Sequence, residues 1–357
     1  MRMGALIMAG GRGERFWPAS RRDRPKQLLS FGMDQPLIVQ TAKRVEPFIP
    51  FRQHLVITSI PLVGAIAELL PQLESHQIVG EPAGRNTAPC IGIAAVWMLH
   101  YLGEDCVMAV LSADHYIAKP EVFISVLQKG AQAAAEGRLV TIGLKPSRPE
   151  TGYGYLELGR PVNESQGLFE VRRFLEKPDP ATAERFVSGG RHRWNGGMFL
   201  WSCQRIRDEL QRHLPALTEP LAEYEKAVGT PREREVLERI YPQFPDVSID
   251  YAVMEKADGV VTVTADIGWD DLGNWTVLER LLKPDAQGNR TTGPFAGVDT
   301  RNCIISADGG LVATLGVEDL VIVKQGEVVL VMPKDRAAEL KQLTGHIKKD
   351  KRWEKFL

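Results

Sequence analysis

No stretch of this 357-residue chain approaches the ~20 consecutive apolar residues needed to span a bilayer. Arg2 is not followed by the long apolar core of a secretory leader before the first glycine-rich turn. A cytoplasmic location, away from membranes, is therefore expected. Excess charge of one sign is also missing. The 44 Lys plus Arg nearly cancel the 45 Asp plus Glu, leaving a formal charge of -1. No global field would draw nucleic acid, and any basic site must be local. Cysteine is scarce: Cys90, Cys106, Cys203 and Cys303 lie far apart, without C-x-x-C spacing. That disfavours a zinc site and a disulfide framework alike, so all four are expected to be reduced packing residues. A Ser-His-Asp or Cys-His nucleophile pattern is not visible either.

The chain is organised around ALIMAGGRGERFWPASRRDRPKQ, residues 5–27. Its opening apolar run, Ala5 to Ala9, is continuous rather than alternating and so predicts a buried parallel strand. Gly10, Gly11 and Gly13 then allow a sharp turn that brings backbone N–H groups toward a ligand, with Arg12, Arg15 and Lys26 adding positive charge. This pattern is a phosphate cradle. It is not a P-loop, because G-x-x-x-x-G-K-[ST] is absent. A dinucleotide fingerprint needs a small residue three places after Gly13, where Phe16 stands. Lys26 is expected to be an exposed loop lysine that contributes little to the core.

Strand and helix signals alternate through the first half. Helical spacing covers Pro36 to Phe48, Pro61 to Leu73, Ile91 to Leu102 and Glu121 to Glu136. Short apolar strands are expected at Leu55 to Thr58, Val107 to Leu111 and Leu139 to Leu144. Asn86 and Thr87 suit a helix cap, and Pro89 a first turn. This order implies an α/β fold: a largely parallel sheet with helices on both faces and a ligand site at the carboxyl ends of its strands. Further on, a helix is expected at Ala181 to Val187, three helical segments between Gln204 and Ile240, and a strand at Val260 to Ala265. After about Pro284, short β-branched runs separated by glycine turns predict a small β appendage. The expected domains are thus 1–284, catalytic, and 285–357, β-rich with a terminal helix.

Asp114 directly follows a predicted strand, where a carboxylate can hold a hard cation or cap a turn. Asp271 occupies a matching place after the Val260 strand, in GWDDLGNW. Two carboxylates from distant strands suit Mg²⁺, which keeps waters and substrate phosphates as its other ligands. Asp270 competes with Asp271 for this role, and spacing alone does not choose between them.

Taken together, GGRGERFWPASRRDRPKQ, GEPAGRNTAPCIG, LSADH, TGYGYLE, FLEKP, WNGGMF, SIDYAVMEK and GWDDLGNW resemble the bacterial mannose-1-phosphate guanylyltransferases, within the sugar-1-phosphate nucleotidyltransferase superfamily. The matches span residues 5 to 275 in family order. The resemblance implies a Rossmann-like, open, mixed but mainly parallel sheet of nucleotidyltransferase (GT-A-like) type, with an appendage similar to a left-handed β-helix. It implies GTP and mannose 1-phosphate as substrates, GDP-mannose and diphosphate as products, and a divalent cation such as Mg²⁺ held by Asp114 and Asp271. Ala9, Gly10, Gly11, Gly13, Arg15, Lys26 and Asp114 would then serve the triphosphate, and Glu81, Pro82, Asn86 and Thr87 the guanine side. A carboxylate at Glu81 suits the N1 and N2 donors of guanine. Gly154, Glu176, Lys177, Asn195, Gly196 and Asp250 would shape the sugar-phosphate pocket; for Asp250 a helix cap is an equal alternative.

Many relatives continue into a cupin-type phosphomannose isomerase domain, and this chain ends before one, so that second activity is expected to be missing. Exposed apolar edges on the appendage suggest a homodimer. Competing functions are a transferase for another base or sugar, and a catalytically silent sugar-nucleotide sensor. The sensor would be marked by loss of Lys26, Asp114 or Asp271, and all three are present.

Overall fold

The computed structural model describes every residue of the chain except Arg12, Asp105 and Glu176. Its contacts divide it into two compact units. The first comprises Met1–Gly10, Thr41–Ala113 and Ile117–Trp269, and the second Gly11–Gln40, Asp114–Tyr116 and Asp270–Leu357.

The first unit is built on β1 (Arg2–Ala9), β2 (His54–Ser59), β3 (Ile78–Glu81) and β4 (Cys106–Ser112). After the short strand β5 (Tyr116–Ile117) come β6 (Leu139–Leu144), β7 (Tyr155–Asn163), β8 (Leu168–Leu175), β9 (His192–Ser202) and β10 (Val260–Ala265). Without β5, these form one nine-stranded sheet in the order β3-β2-β1-β4-β9-β6-β10-β8-β7. The β3-β2-β1-β4 block is parallel, as is β6 with β10, while β9 runs antiparallel to both β4 and β6. Parallel strands need both faces covered, and β4 shows how this is met. Met108 and Val110 join one hydrophobic cluster, and Val107, Ala109 and Leu111 the other, as the period of two requires.

Helices supply the covers. After α1 (Leu37–Val45) and α2 (Val63–Leu69), α3 (Thr87–Leu102) is apolar nearly all round and buried between the sheet and α6 (Cys203–His213), α7 (Thr218–Ala227) and α8 (Glu233–Ile240). The opposite face is covered by α4 (Pro120–Ala135), while α5 (Pro180–Gly189) buries only Ala183. The helix expected over Pro61 to Leu73 is shorter than its pattern. A 3-10 turn, Ile60–Leu62, leads into α2, which stops at Leu69. Pro71 pushes the preceding residue out of the helical region, and Leu70 accordingly sits at φ -124°, ψ 63°. All four cysteines are free and buried.

In the second unit, after the short strand β11 (Trp269–Asp270) and α9 (Leu278–Leu281), the chain coils through β12 (Arg290–Thr292), β13 (Phe295–Val298), β14 (Ile304–Asp308), β15 (Val312–Leu315), β16 (Leu320–Gln325) and β17 (Val328–Pro333). Successive turns stack in parallel, β12 on β14 on β16 and β13 on β15, and β17 closes antiparallel on β16. At one corner Gly293 is obligatory, since a Cβ there would lie 2.0 Å from the Ala307 carbonyl oxygen. α10 (Leu340–Ile347) follows, and Leu340 is buried in one cluster with Phe16, Trp17, Phe31, Leu272 and Trp275. Among the described residues no helix is long and apolar enough to cross a membrane.

Candidate active site

In the first unit, the parallel block brings the carboxyl ends of β1, β3 and β4 to one sheet edge, as the strand order predicts. β1 ends at Ala9 and leads into Gly10, and β3 ends at Glu81. A Cβ on Gly10 would lie 3.6 Å from Glu81 Oε2. The other carboxylate oxygen, Oε1, accepts a hydrogen bond from the Tyr241 hydroxyl. Burial pushes the Glu81 carboxyl up to about 7, and hydrogen bonds from Tyr241 and Cys90 only partly offset that shift. The Cys90 thiol is itself raised, by burial first and then by the neighbouring Glu81.

Pro82 follows Glu81 in the loop toward α3. Asn86 caps α3 at φ 64°, its side chain accepting from the Thr87 N–H at 3.0 Å. The Thr87 hydroxyl accepts from the Ile249 N–H at 2.8 Å, tying the helix start to the SIDY segment. Both side chains are therefore engaged in holding backbone.

A second polar cluster lies on β6 and β9. The Thr141 hydroxyl, fully buried, donates to Asn195 Oδ1 at 2.9 Å, and Asn195 Nδ2 donates to Asp250 Oδ1 at 2.9 Å. The Asn195 N–H donates to the Gly154 carbonyl at 2.8 Å. Gly196 has no space for a side chain, because a Cβ would meet the Ile142 carbonyl oxygen and Met198 Cε at 3.0 Å. Gly154, Asn195, Gly196 and Asp250 are thus brought together. Asp250 is the first residue of a π-helical turn, Asp250–Met254, whose N-cap is Ile249 with no side-chain cap hydrogen bond, and its carboxylate is held by Asn195. Lys177 follows β8 at φ 46°. Glu176 lies outside the described residues, as does Arg12.

The glycine loop belongs to the second unit from Gly11 onward. Gly13 sits at φ 58°, and a Cβ there would fall 2.4 Å from Lys26 Cβ and 2.9 Å from the Lys26 nitrogen. Its carbonyl accepts from the Ser20 hydroxyl at 2.6 Å. A single 3-10 turn, Glu14–Phe16, follows in place of the long helix of a dinucleotide fold. Phe16 turns inward and meets Phe31 and Trp275 edge-on, with ring centroids at 4.5 and 5.5 Å.

Lys26 differs from its expectation: it is buried, with 7 % exposure. Its ammonium donates to Asp114 Oδ2 at 2.7 Å and to the Asp271 backbone carbonyl. A side chain in such a position cannot be a loop lysine without structural weight, because removing it would strand a carboxylate. Burial alone would raise the Asp114 carboxyl, but the charges of Lys26 and His115 and the hydrogen bond from Lys26 hold it below the usual carboxylate range.

Asp270 and Asp271 separate clearly. Asp270 is buried, accepts Arg280 Nε at 2.5 Å and the Leu272 N–H at 2.9 Å. Asp271 lines a cavity of about 500 Å³ with Gly13, Arg15, Lys26, Asp114 and His115. Two carboxylates on one cavity fit a Mg²⁺-type ion that takes its remaining ligands from phosphate and water. No group of three or more His, Cys, Asp or Glu suited to a metal occurs among the described residues.

Three side chains at these clusters were not marked by sequence pattern. Tyr241 and Thr141 act on Glu81 and Asn195 from distant segments, and nothing local distinguishes them. Lys341, on α10, also lines the Asp114 cavity, yet reads locally as one solvated helix lysine among several.

Residues 4–287 match the family model described as nucleotidyl transferase, and 293–346 that of the MannoseP isomerase/GMP-like beta-helix domain. A mannose-1-phosphate guanylyltransferase of Klebsiella pneumoniae is 38 % identical over 353 residues, covering 98 % of this chain and 74 % of its own. The alginate biosynthesis protein AlgA of Pseudomonas aeruginosa is 36 % identical over 348 residues, covering 97 % of this chain and 71 % of its own. A crystal structure described as a mannose-1-phosphate geranyltransferase from Thermus thermophilus matches with a TM-score of 0.88 at 37 % identity, covering 98 % of this chain and all of that one.

Proposed function

Because this chain belongs to the nucleotidyl transferase family, we propose that it is a mannose-1-phosphate guanylyltransferase, forming GDP-mannose and diphosphate from GTP and mannose 1-phosphate. The observation that carries the chemistry is the Lys26–Asp114 pair beside Asp271 on the cavity that Gly13 and Arg15 also line. A phosphate oxygen of mannose 1-phosphate attacks the α-phosphorus of GTP. The bond from that phosphorus to the bridging oxygen breaks, and diphosphate leaves with the electron pair. No proton has to move, since the sugar phosphate is already ionised near neutral pH, and catalysis is positioning plus charge stabilisation.

The residue roles follow. Ala9 and Gly10 carry the chain into the loop, and Gly11, Gly13 and Arg15 hold the triphosphate. Lys26 aims the Asp114 carboxylate and adds positive charge, while Asp114 and Asp271 would hold Mg²⁺ or another divalent cation. When bound, that ion supplies neutralisation of phosphate charge. Glu81 and Pro82 serve guanine, with Asn86 and Thr87 fixing the adjoining turn. Gly154, Lys177, Asn195, Gly196 and Asp250 shape the sugar-phosphate pocket. We take 1–284 as the catalytic domain and 285–357 as the β-rich domain, a division supported by the two family matches.

The deciding experiment is incubation with mannose 1-phosphate, Mg²⁺ and each nucleoside triphosphate in turn, with the products separated and weighed. GDP-mannose with stoichiometric diphosphate is expected. Formation of a different nucleotide sugar under these conditions would overturn the substrate assignment.

A further inference from the structure

Lys26 commits its ammonium to Asp114 and to the Asp271 carbonyl, at 7 % exposure. Of the three Lys and Arg side chains lining the cavity, that leaves Arg15 and Lys341 on its solvent side. Both are exposed, and neither side chain makes a hydrogen bond or ion pair among the described residues. Against them stand Glu14, Asp114 and Asp271, so the protein's own charge in this wall is close to balanced. A triphosphate remains strongly anionic even with one divalent cation bound. The cavity therefore needs every cation it presents.

The position of Lys341 is not that of a loose tail residue. Its neighbour Leu340 is 2 % exposed and packs in one core with Phe16, the residue that ends the turn after the glycine loop. The first turn of α10 is thereby fixed to the same core as the loop. A second cavity of about 220 Å³ shares Glu14 and Lys341 and is lined by Arg21, Arg22 and Lys348, which adds positive potential on the far side of Lys341.

We propose that Lys341 is a catalytic residue: its ammonium contacts the β- and γ-phosphates of the nucleoside triphosphate and the diphosphate that leaves. As the bond from the α-phosphorus to the bridging oxygen breaks, negative charge accumulates on that oxygen. A cation held against it stabilises the departing group more than the bound substrate. The assignment rests on the cavity being the triphosphate site.

The test uses the full chain with Lys341→Ala, Lys341→Gln and Lys341→Arg, and Lys349→Ala as a control on the exposed tail. Diphosphate binding with Mg²⁺ is measured by calorimetry, alongside steady-state kinetics and thermal unfolding. For Lys341→Ala and Lys341→Gln, about tenfold weaker diphosphate binding, about tenfold higher KM for the nucleotide and a further fall in kcat are expected, the loss of one charge-assisted contact that strengthens as diphosphate leaves. The KM for the sugar phosphate and the Tm should stay unchanged, and Lys341→Arg should recover part of the loss. Unaltered diphosphate affinity in a folded Lys341→Ala or Lys341→Gln protein would sink the assignment. Should the wild type turn over another nucleotide, the guanylyl reading falls while the Lys341 effect on diphosphate still decides this one.

Discussion

Lys26 donates to Asp114 at 2.7 Å and to the Asp271 backbone, so one ammonium joins three segments far apart in sequence. Lys26→Ala should therefore lower both turnover and stability. Loss of a preorganised cation predicts a drop in kcat on the order of 10²-fold. A stranded and partly solvated carboxylate, its side chain 35 % exposed, predicts a stability loss of about 1–2 kcal/mol, below that of a fully buried pair. Because the Asp114 carboxyl is held below its usual range, the pair's stabilisation is present above the ordinary carboxylate pKa and is lost as pH falls below it. Urea unfolding across the acid range should show the variant's deficit at pH 7 and a smaller one as pH falls below the ordinary carboxylate pKa. Glu81 has the opposite sign. With its carboxyl raised from 4.5 to about 7, its contribution to stability is complete below 4.5 and disappears as pH rises through 7. Glu81→Gln should gain on the wild type across that window by up to about 3 kcal/mol in chemical denaturation. The same titration predicts a function: only the carboxylate accepts from two guanine donors, so the KM for GTP should fall between pH 6 and 8, and this trend should be absent in Glu81→Gln.

The glycine loop is shaped by what packs behind it as much as by what it binds. A Cβ on Gly13 would overlap Lys26, at 2.4 Å from its Cβ, in a backbone conformation that L-residues disfavour. Gly13→Ala should displace the Lys26 turn, lower activity at least tenfold, and leave the β-coil of 290–333 folded. A crystal structure of that variant with the Lys26–Asp114 contact intact would refute the packing account. Strand β10 was legible to the residue, Val260 to Ala265, because a short apolar run between turn residues has few alternatives. In the parallel block β1, β2 and β4 were legible for the same reason, while β3 (Ile78–Glu81), only four residues long, carried no strand expectation. What pattern could not give was burial of polar groups: Lys26 lies in a segment of prolines and charges that reads as loop, and only the return of Asp114 and Asp271 from elsewhere encloses it. The choice between Asp270 and Asp271 was likewise closed to spacing, since it depends on Arg280, ten places onward. Loop motifs therefore pointed to residues that the structure brings together around Lys26, while leaving the roles among them open.

For the assembled protein we propose a homodimer through the β-coil. Val298 and Leu315 are paired across β13 and β15 and are 61 % and 74 % exposed, and on β17 the outward positions Val329 and Val331 are exposed as well. Apolar side chains exposed on both sheets of this small coil suit an interface. Sedimentation at micromolar concentration should give a dimer, and Leu315→Lys with Val331→Lys should give a folded monomer; a wild-type monomer would refute it. The unit that holds the Asp114 cavity is drawn from residues 11–40, 114–116 and 270–357. A ribosome adding roughly 5–20 residues per second makes Gly13 early and Lys341 on the order of half a minute later. For most of that interval the nascent chain owns its glycine loop but not Asp271, and throughout it lacks the lysine of α10. A translation product cut short before Asp271 would thus carry the glycine loop, Lys26 and Asp114 while lacking Asp271 and Lys341 from the wall of that cavity.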